Sequence, residues 1–318
     1  MKNKKTIKTL PVGKKDSDEK KMDGHNKIEV NEQSNNQRLD ILRDGSVLAD
    51  KAYQLRHEML EMCIKAGDGH VTSSLSCAEI LTILYYGGFL RHDPSNPNWK
   101  DRDRFILSKA QASPMLYTVL ADREFFPKKE MDKFAQQDGI FGVHLQYTVP
   151  GAELSAGSLG HGFGVAAGIA LAAKMDRDLF LTYTLLGDGE LYEGSVWETA
   201  MFATHHNLNN LVAIVDRNYQ CTMDFTENLL ELEPLEDKWK SFGWEVKRVN
   251  GHDFLELFKA FKYLRSRRSR KPTVIIADTV KGEGIEYISN VPLWHGGAPI
   301  KEEDINACRK DLEDRKNG

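Results

Sequence analysis

The sequence predicts an α/β fold of three layers, a mostly parallel sheet lying between two layers of helices. Two observations carry this. Short apolar runs of strand length alternate with segments of helical periodicity from Ser46 to about Ala277. The runs LFLTYTLL, LVAIV and TVIIA are too apolar to leave a face in water. Strands alternating with helices form βαβ units, whose parallel sheet is covered on both sides.

In order along the chain, Ala52, Leu55, Met59, Met62 and Cys63 recur at three- and four-residue spacing, predicting a helix from Ser46 that Gly67-Asp68-Gly69 breaks. A second helix is expected from about Leu75 to Tyr86, capped by Ser74 or Ser76 and stopped by Gly87-Gly88. Phe105 to Leu107 reads as a strand, and Pro114 to Glu124 as a helix. The small-residue run LGHGFGVAAGIALAA, Leu159 to Ala173, predicts a closely packed, fully buried helix. A strand over Leu179–Leu186, a helix over Val196–His206 and a strand over Leu211–Val215 follow. The pattern closes with a helix near Pro234–Phe242, a strand Trp244–Val249, a helix Phe254–Arg265 and a strand Thr273–Ala277. No internal repeat is visible.

Composition narrows the function classes. With 318 residues the chain has ample length for a buried core. A net charge of -4 argues against a general nucleic-acid binder, whose mark is a strongly basic face. The one basic cluster, Arg265, Arg267, Arg268, Arg270 and Lys271, falls at a helix C-terminus that favours cations, and reads as a solvated face. No apolar run approaches a membrane span and no signal peptide is evident, so no membrane partner and a cytoplasmic location are expected. Four widely spaced cysteines, with no Cys-x-x-Cys, fit a reducing compartment. Residues 1–42 are rich in Lys, Asp, Glu, Asn and Gln without an aromatic, and predict a disordered polar tail. Residues 301–318 predict a polar helical tail.

Two strand ends carry chemistry. The first runs into Gly187-Asp188-Gly189-Glu190, the second, one crossover helix later, into Asp216-Arg217-Asn218-Tyr219-Gln220. In an open parallel sheet both ends fall on the edge where ligands bind. Asp188 and Asn218, thirty residues apart, can therefore meet there. A carboxylate, an amide oxygen and a main-chain carbonyl, for which Gln220 is placed, are hard ligands suited to Mg²⁺ or Ca²⁺, with phosphate oxygens completing the shell. The flanking glycines let the backbone approach a diphosphate.

The stretch GDGELYEGSVWETAMFATHHNLNNLVAIVDRNYQ resembles the thiamine diphosphate motif in its transketolase form. KAGDGHVTSSLSCAEI, RDRFILS, PGAELSAGSLGHGFGVAAGIA and the Gly282-Glu283-Gly284 and Trp294-His295-Gly296 segments resemble further transketolase pieces, in the same order. The resemblance covers about residues 46–300 and implies a thiamine-diphosphate-binding PP-type domain over residues 43–300.

What the resemblance implies residue by residue is as follows. Asp188, Asn218 and the carbonyl of Gln220 hold the metal. His70, Gly157, Leu159, Gly160, Gly187, Gly189, Glu190, Asn218 and His295 meet thiamine diphosphate. His70, His144 and His295 are the catalytic histidines, near-neutral groups suited to proton transfer, and His70, Gln111 and His144 meet the sugar. Glu193 couples to the activating carboxylate of a neighbouring domain. Gln111 departs from the family pattern, which has a histidine there. An amide keeps hydrogen bonding but shuttles no proton, so altered ketose specificity is expected.

These readings point to the N-terminal subunit of a split transketolase that moves a two-carbon ketol unit between sugars. The pyrimidine-binding half would come from a partner chain, in a heterotetramer of two copies of each. The expectation that no second run of strands follows residue 300 rests on the same reading. Alternatives are the α-chain of a 2-oxoacid dehydrogenase, a deoxyxylulose-phosphate synthase, or a non-catalytic cofactor-binding subunit.

Overall fold

The computed structural model describes residues 45–317 apart from Met223 and Arg267, so the tail expected over residues 1–42 lies outside the described residues. Helix α1 (Ser46–Ala66) ends where Gly67 turns left-handed, φ 68°, and donates back to Cys63 and Ile64. Helices α2 (Val71–Leu75) and α3 (Ala78–Tyr86) follow, then β1 (Arg104–Leu107), α4 (Ser113–Asp122), α5 (His161–Asp176), β2 (Thr182–Gly187), α6 (Gly194–His205) and β3 (Leu211–Arg217). A small antiparallel pair, β4 (Gln220–Cys221) and β5 (Asp224–Phe225), leads into α7 (Thr226–Leu229) and α8 (Leu235–Ser241). Strand β6 (Glu245–Asn250), α9 (Phe254–Ser266), β7 (Thr273–Asp278) and α10 (Glu302–Asn317) complete the order.

The main sheet is parallel throughout, in the order β1-β2-β3-β7-β6. Its register sets the site: Gly187 pairs with Asp216, and Arg217 with Asp278, so β2, β3 and β7 finish at one level. One face packs Leu186, Ala213, Val215, Val274 and Ile276 against α5, α6 and the indoles of Trp239 and Trp244. The opposite face carries Tyr183, whose ring meets Phe261 of α9. Burying strands on both faces is why they read as unbroken apolar runs.

Two expectations change. The segment Leu159–Ala173 is not fully buried. Helix α5 buries Phe163, Ala166, Ala167, Ala170 and Ala173 but exposes Gly164, Gly168 and Ala172 along one side. Small residues suit close packing and exposure equally, so the sequence alone could not separate the two. The predicted helix over Leu75–Tyr86 is two helices, and neither serine caps it. Cys77 takes the N-cap of α3 without capping it through its side chain, while the Ser76 hydroxyl donates to Asp216 across the molecule at 2.6 Å. Of the basic cluster, Arg268, Arg270 and Lys271 are exposed; the side chains of Arg265 and Arg267 lie outside the description. All four cysteines are free thiols. No helix among the described residues is long and apolar enough to cross a membrane.

Candidate active site

The carboxyl ends of β2, β3 and β7 surround a cavity of about 70 Å³. Of the residues singled out from sequence, Gln111, Leu159, Gly187, Asp188, Gly189, Glu190, Asn218, Gln220 and His295 line it. Ser73, Lys109, Cys221, Thr222 and Lys281 line it too, and sequence reasoning did not select them.

Asp188 is buried, and β3 comes to it. The Tyr219 amide donates to its Oδ2 at 2.6 Å, and the Arg217 guanidinium lies 3.1 Å from the same oxygen. Tyr219 reaches this position with φ 64°, an uncommon left-handed backbone for a non-glycine residue. Oδ1 accepts only from the Gly189 amide, at 2.8 Å, which leaves it lone-pair capacity for a cation. Burial pushes the Asp188 carboxyl up to about 6, against the pull of Arg217. Next to it, Asn218 Oδ1 accepts from the Gln220 amide at 3.2 Å, and Gln220 Oε1 is a buried acceptor without a hydrogen-bond partner. A buried orphan oxygen beside a buried carboxylate and an amide is a hard donor set. These residues fit a divalent cation carrying phosphate oxygens. Among the described residues no group of three or more His, Cys, Asp or Glu is arranged to hold a metal ion.

The loop before α5 is held by Glu190. Its carboxylate accepts from the amides of Gly160 at 2.7 Å and Gly187 at 3.0 Å and from the Ser108 hydroxyl. Gly160 has φ 78°, and a Cβ there would stand 2.4 Å from Ser195 Oγ, so only glycine fits. The amide that Gly160 could have offered a ligand is thus spent on Glu190. Gly157, Gly160 and Glu193 do not line the cavity; Gly157 and Glu193 are exposed beside it.

Two buried lysines face the cavity. Lys109 bonds Asp216, Ser76 Oγ and the Ser73 carbonyl, and Asp216 raises its pKa against the effect of burial. Lys281 is different: burial, then the charge of Lys109, lowers it from its ordinary value to about 8. Its Nζ lies 2.9 Å from His295 Nδ1. His295 is pushed down to about 4 by burial and by Lys281, so it is a neutral imidazole at pH 7. A neutral ring accepting from an ammonium at Nδ1 carries its proton on Nε2.

His70 and His144 sit beside this cavity without lining it. The His70 ring centroid is 5.3 Å from that of His144 and 5.7 Å from that of His295. His70 Nδ1 lies 3.1 Å from the His295 carbonyl, which can only accept, so His70 Nε2 is left as an acceptor. Burial and His70 lower the pKa of His144, whose Nδ1 has no partner. The three rings therefore form one row at the cavity rim.

The chain matches, over residues 49–315, the family described as transketolase, thiamine diphosphate binding domain. It belongs to the transketolase family. A relative from Phocaeicola vulgatus, named as one subunit of an apulose-4-phosphate transketolase, is 38% identical over 80% of this chain and 90% of its own length. Another, the 6-deoxy-6-sulfo-D-fructose transketolase subunit of Clostridium sp., is 40% identical over 84% of this chain and 96% of its own. Among solved structures, the transketolase of Campylobacter jejuni superposes with a TM-score of 0.77 at 33% identity, covering 84% of this chain. This chain spans 43% of that transketolase's length. The fold, the cofactor class and the transketolase resemblance read from sequence are those of the family.

Proposed function

We propose that this chain is the N-terminal, diphosphate-binding subunit of a two-subunit transketolase, active in the cytoplasm in a heterotetramer with a pyrimidine-binding partner. The reaction moves a two-carbon ketol unit from a ketose, phosphorylated or otherwise modified, to an aldose. The observation that carries this reading is the cavity. At about 70 Å³ it is far below the roughly 300–1,000 Å³ of sites that enclose a ligand, yet it gathers a hard oxygen set and a buried lysine. It suits the diphosphate end of a cofactor whose remainder lies against another surface. The subunit names of the two relatives support the same division.

Asp188, Asn218 and Gln220 would hold Mg²⁺ or Ca²⁺, and Lys281 would neutralise phosphate charge. When bound, thiamine diphosphate supplies the nucleophilic carbon and electron sink that ketol transfer needs. The chain's own contribution is positioning and proton handling. His295 presents a proton at Nε2, and His70 presents a free acceptor at Nε2. A donor and an acceptor side by side suit an alcohol that becomes a carbonyl and its reverse. Glu193, exposed beside the Gly160 loop, would meet the partner. Gln111, on the cavity wall, gives the ketose an uncharged contact.

The test is product analysis by NMR with the paired subunits, offering ketose donors and pyruvate separately. Ketol transfer from a ketose supports the reading. Consumption of pyruvate, with no ketose used, overturns it in favour of a 2-oxoacid enzyme or a deoxyxylulose-phosphate synthase.

A further inference from the structure

We infer that Glu79 and His252 are a positioning pair that sets Lys281, and through it His295, at the diphosphate cavity. His252 lies in the turn after β6, with its amide donating to Asn250 Oδ1 at 2.9 Å. Its Nε2 accepts from the Val280 amide at 2.8 Å. That nitrogen is therefore unprotonated, and Nδ1 donates to Glu79 Oε2 at 2.9 Å. On the other side Arg56 Nη1 pairs with Glu79 Oε1 at 2.6 Å while its Nε donates to the Glu283 carbonyl at 3.0 Å. One carboxylate thus grips both ends of the turn Val280–Glu283, through His252 at one end and Arg56 at the other. Within that turn Lys281 is the residue that lines the cavity.

The turn is fixed at its middle as well, by the Gly282 amide to the Thr72 carbonyl at 3.0 Å and the Asn290 amide to the Lys281 carbonyl at 2.8 Å. Glu79 and Arg56 are buried and His252 nearly so, with Glu283 4.0 Å from His252 Nε2 as the further charge facing it. A buried ion pair adds little net stability over apolar packing of the same volume. What this one does contribute is direction: it aims the buried Lys281 ammonium at His295, and an error near 1 Å in such a group costs about a hundredfold in catalysis.

The inference rests on the proposed function for its consequence, and the experiment separates the two. His252→Gln keeps a carbonyl long enough to accept from the Val280 amide together with an N–H for Glu79, whereas His252→Asn is too short to reach Val280. Each is made in the full chain, alone and combined with Lys281→Met. Amide hydrogen exchange of the chain, which needs no cofactor, is read over residues 280–284. Thiamine diphosphate affinity with Mg²⁺ is read in the paired complex. His252→Asn should speed exchange in that turn selectively and weaken the cofactor about tenfold, His252→Gln should do neither, and in the Lys281→Met background His252→Asn should cost nothing more. Equal behaviour of the two variants, losses that multiply with Lys281→Met, or exchange that rises across the whole sheet would each overturn the positioning role. Failure of the paired complex to bind thiamine diphosphate at all counts against the proposed function, and the exchange pattern still decides this inference.

Discussion

Replacing Lys281 by Met should make the bare protein more stable and its cofactor binding worse. The ammonium is 2% exposed, and its pKa falls from 10.5 to about 8. At 1.36 kcal/mol per pH unit, holding that charge in the native state below pH 8 costs about 3 kcal/mol. Met removes the cost but also leaves His295 Nδ1 without its donor, worth about 1 kcal/mol, so a net gain of about 2 kcal/mol is expected at pH 7. The pH dependence has a definite sign. Between about 8 and 10.5 the native state sheds the proton while the unfolded chain keeps it. Stability of the unaltered chain therefore rises with pH across that window, and the rise is absent in the variant. Cofactor affinity moves oppositely, falling above pH 8 as the charge is lost. In the variant it should be roughly tenfold to a hundredfold weaker at pH 7, the worth of a charged hydrogen bond. Urea denaturation at pH 7 and at higher pH, with calorimetric titration of thiamine diphosphate and Mg²⁺ into the paired complex, reads both effects. A variant that is destabilised at pH 7 and binds the cofactor unchanged would exclude a charged, buried Lys281 at the cofactor.

Three further outcomes are expected. Asp188→Ala should abolish Mg²⁺-dependent cofactor binding with the fold retained, since the donor set loses its one carboxylate; unchanged affinity by calorimetry would remove the metal assignment. His295→Ala should lower kcat by ~10²–10⁴ with a smaller effect on cofactor affinity, and a kcat within a small factor of the unaltered enzyme would make it a packing residue. Gln111→His should reorder kcat/KM among ketose donors, whereas a uniform change across all of them would deny it a role in specificity.

Asp188, Asn218 and Gln220 were legible because their motif stands at the ends of two apolar strands joined by one crossover, and parallel topology then dictates where they meet. Lys281 carries a similar signal, a charged residue just past the strand TVIIA and followed by Gly-x-Gly, but a lysine is neither a metal ligand nor a near-neutral proton carrier until burial shifts it. Arg217 and the left-handed Tyr219 could not be read at all. The pinning of Asp188 depends on a backbone angle and on a guanidinium whose partners, Thr226, Glu227 and Glu233, come from α7 and the segment between α7 and α8. The serine-rich run before α3 misled for a physical reason: a serine is an N-cap candidate anywhere, and here Asp216 takes the Ser76 hydroxyl first. Glu190 shows the converse, a motif carboxylate whose hydrogen bonds go to the protein's own loops.

On the proposed function this chain holds one half of a catalytic site. The most direct measurement of this is ketol-transfer turnover, with thiamine diphosphate, Mg²⁺ and a ketose–aldose pair, as the candidate partner is titrated into a fixed amount of this chain. No turnover is expected from the chain alone, with activity appearing on mixing and saturating near one-to-one stoichiometry. Steady turnover by the isolated chain would contradict the divided site.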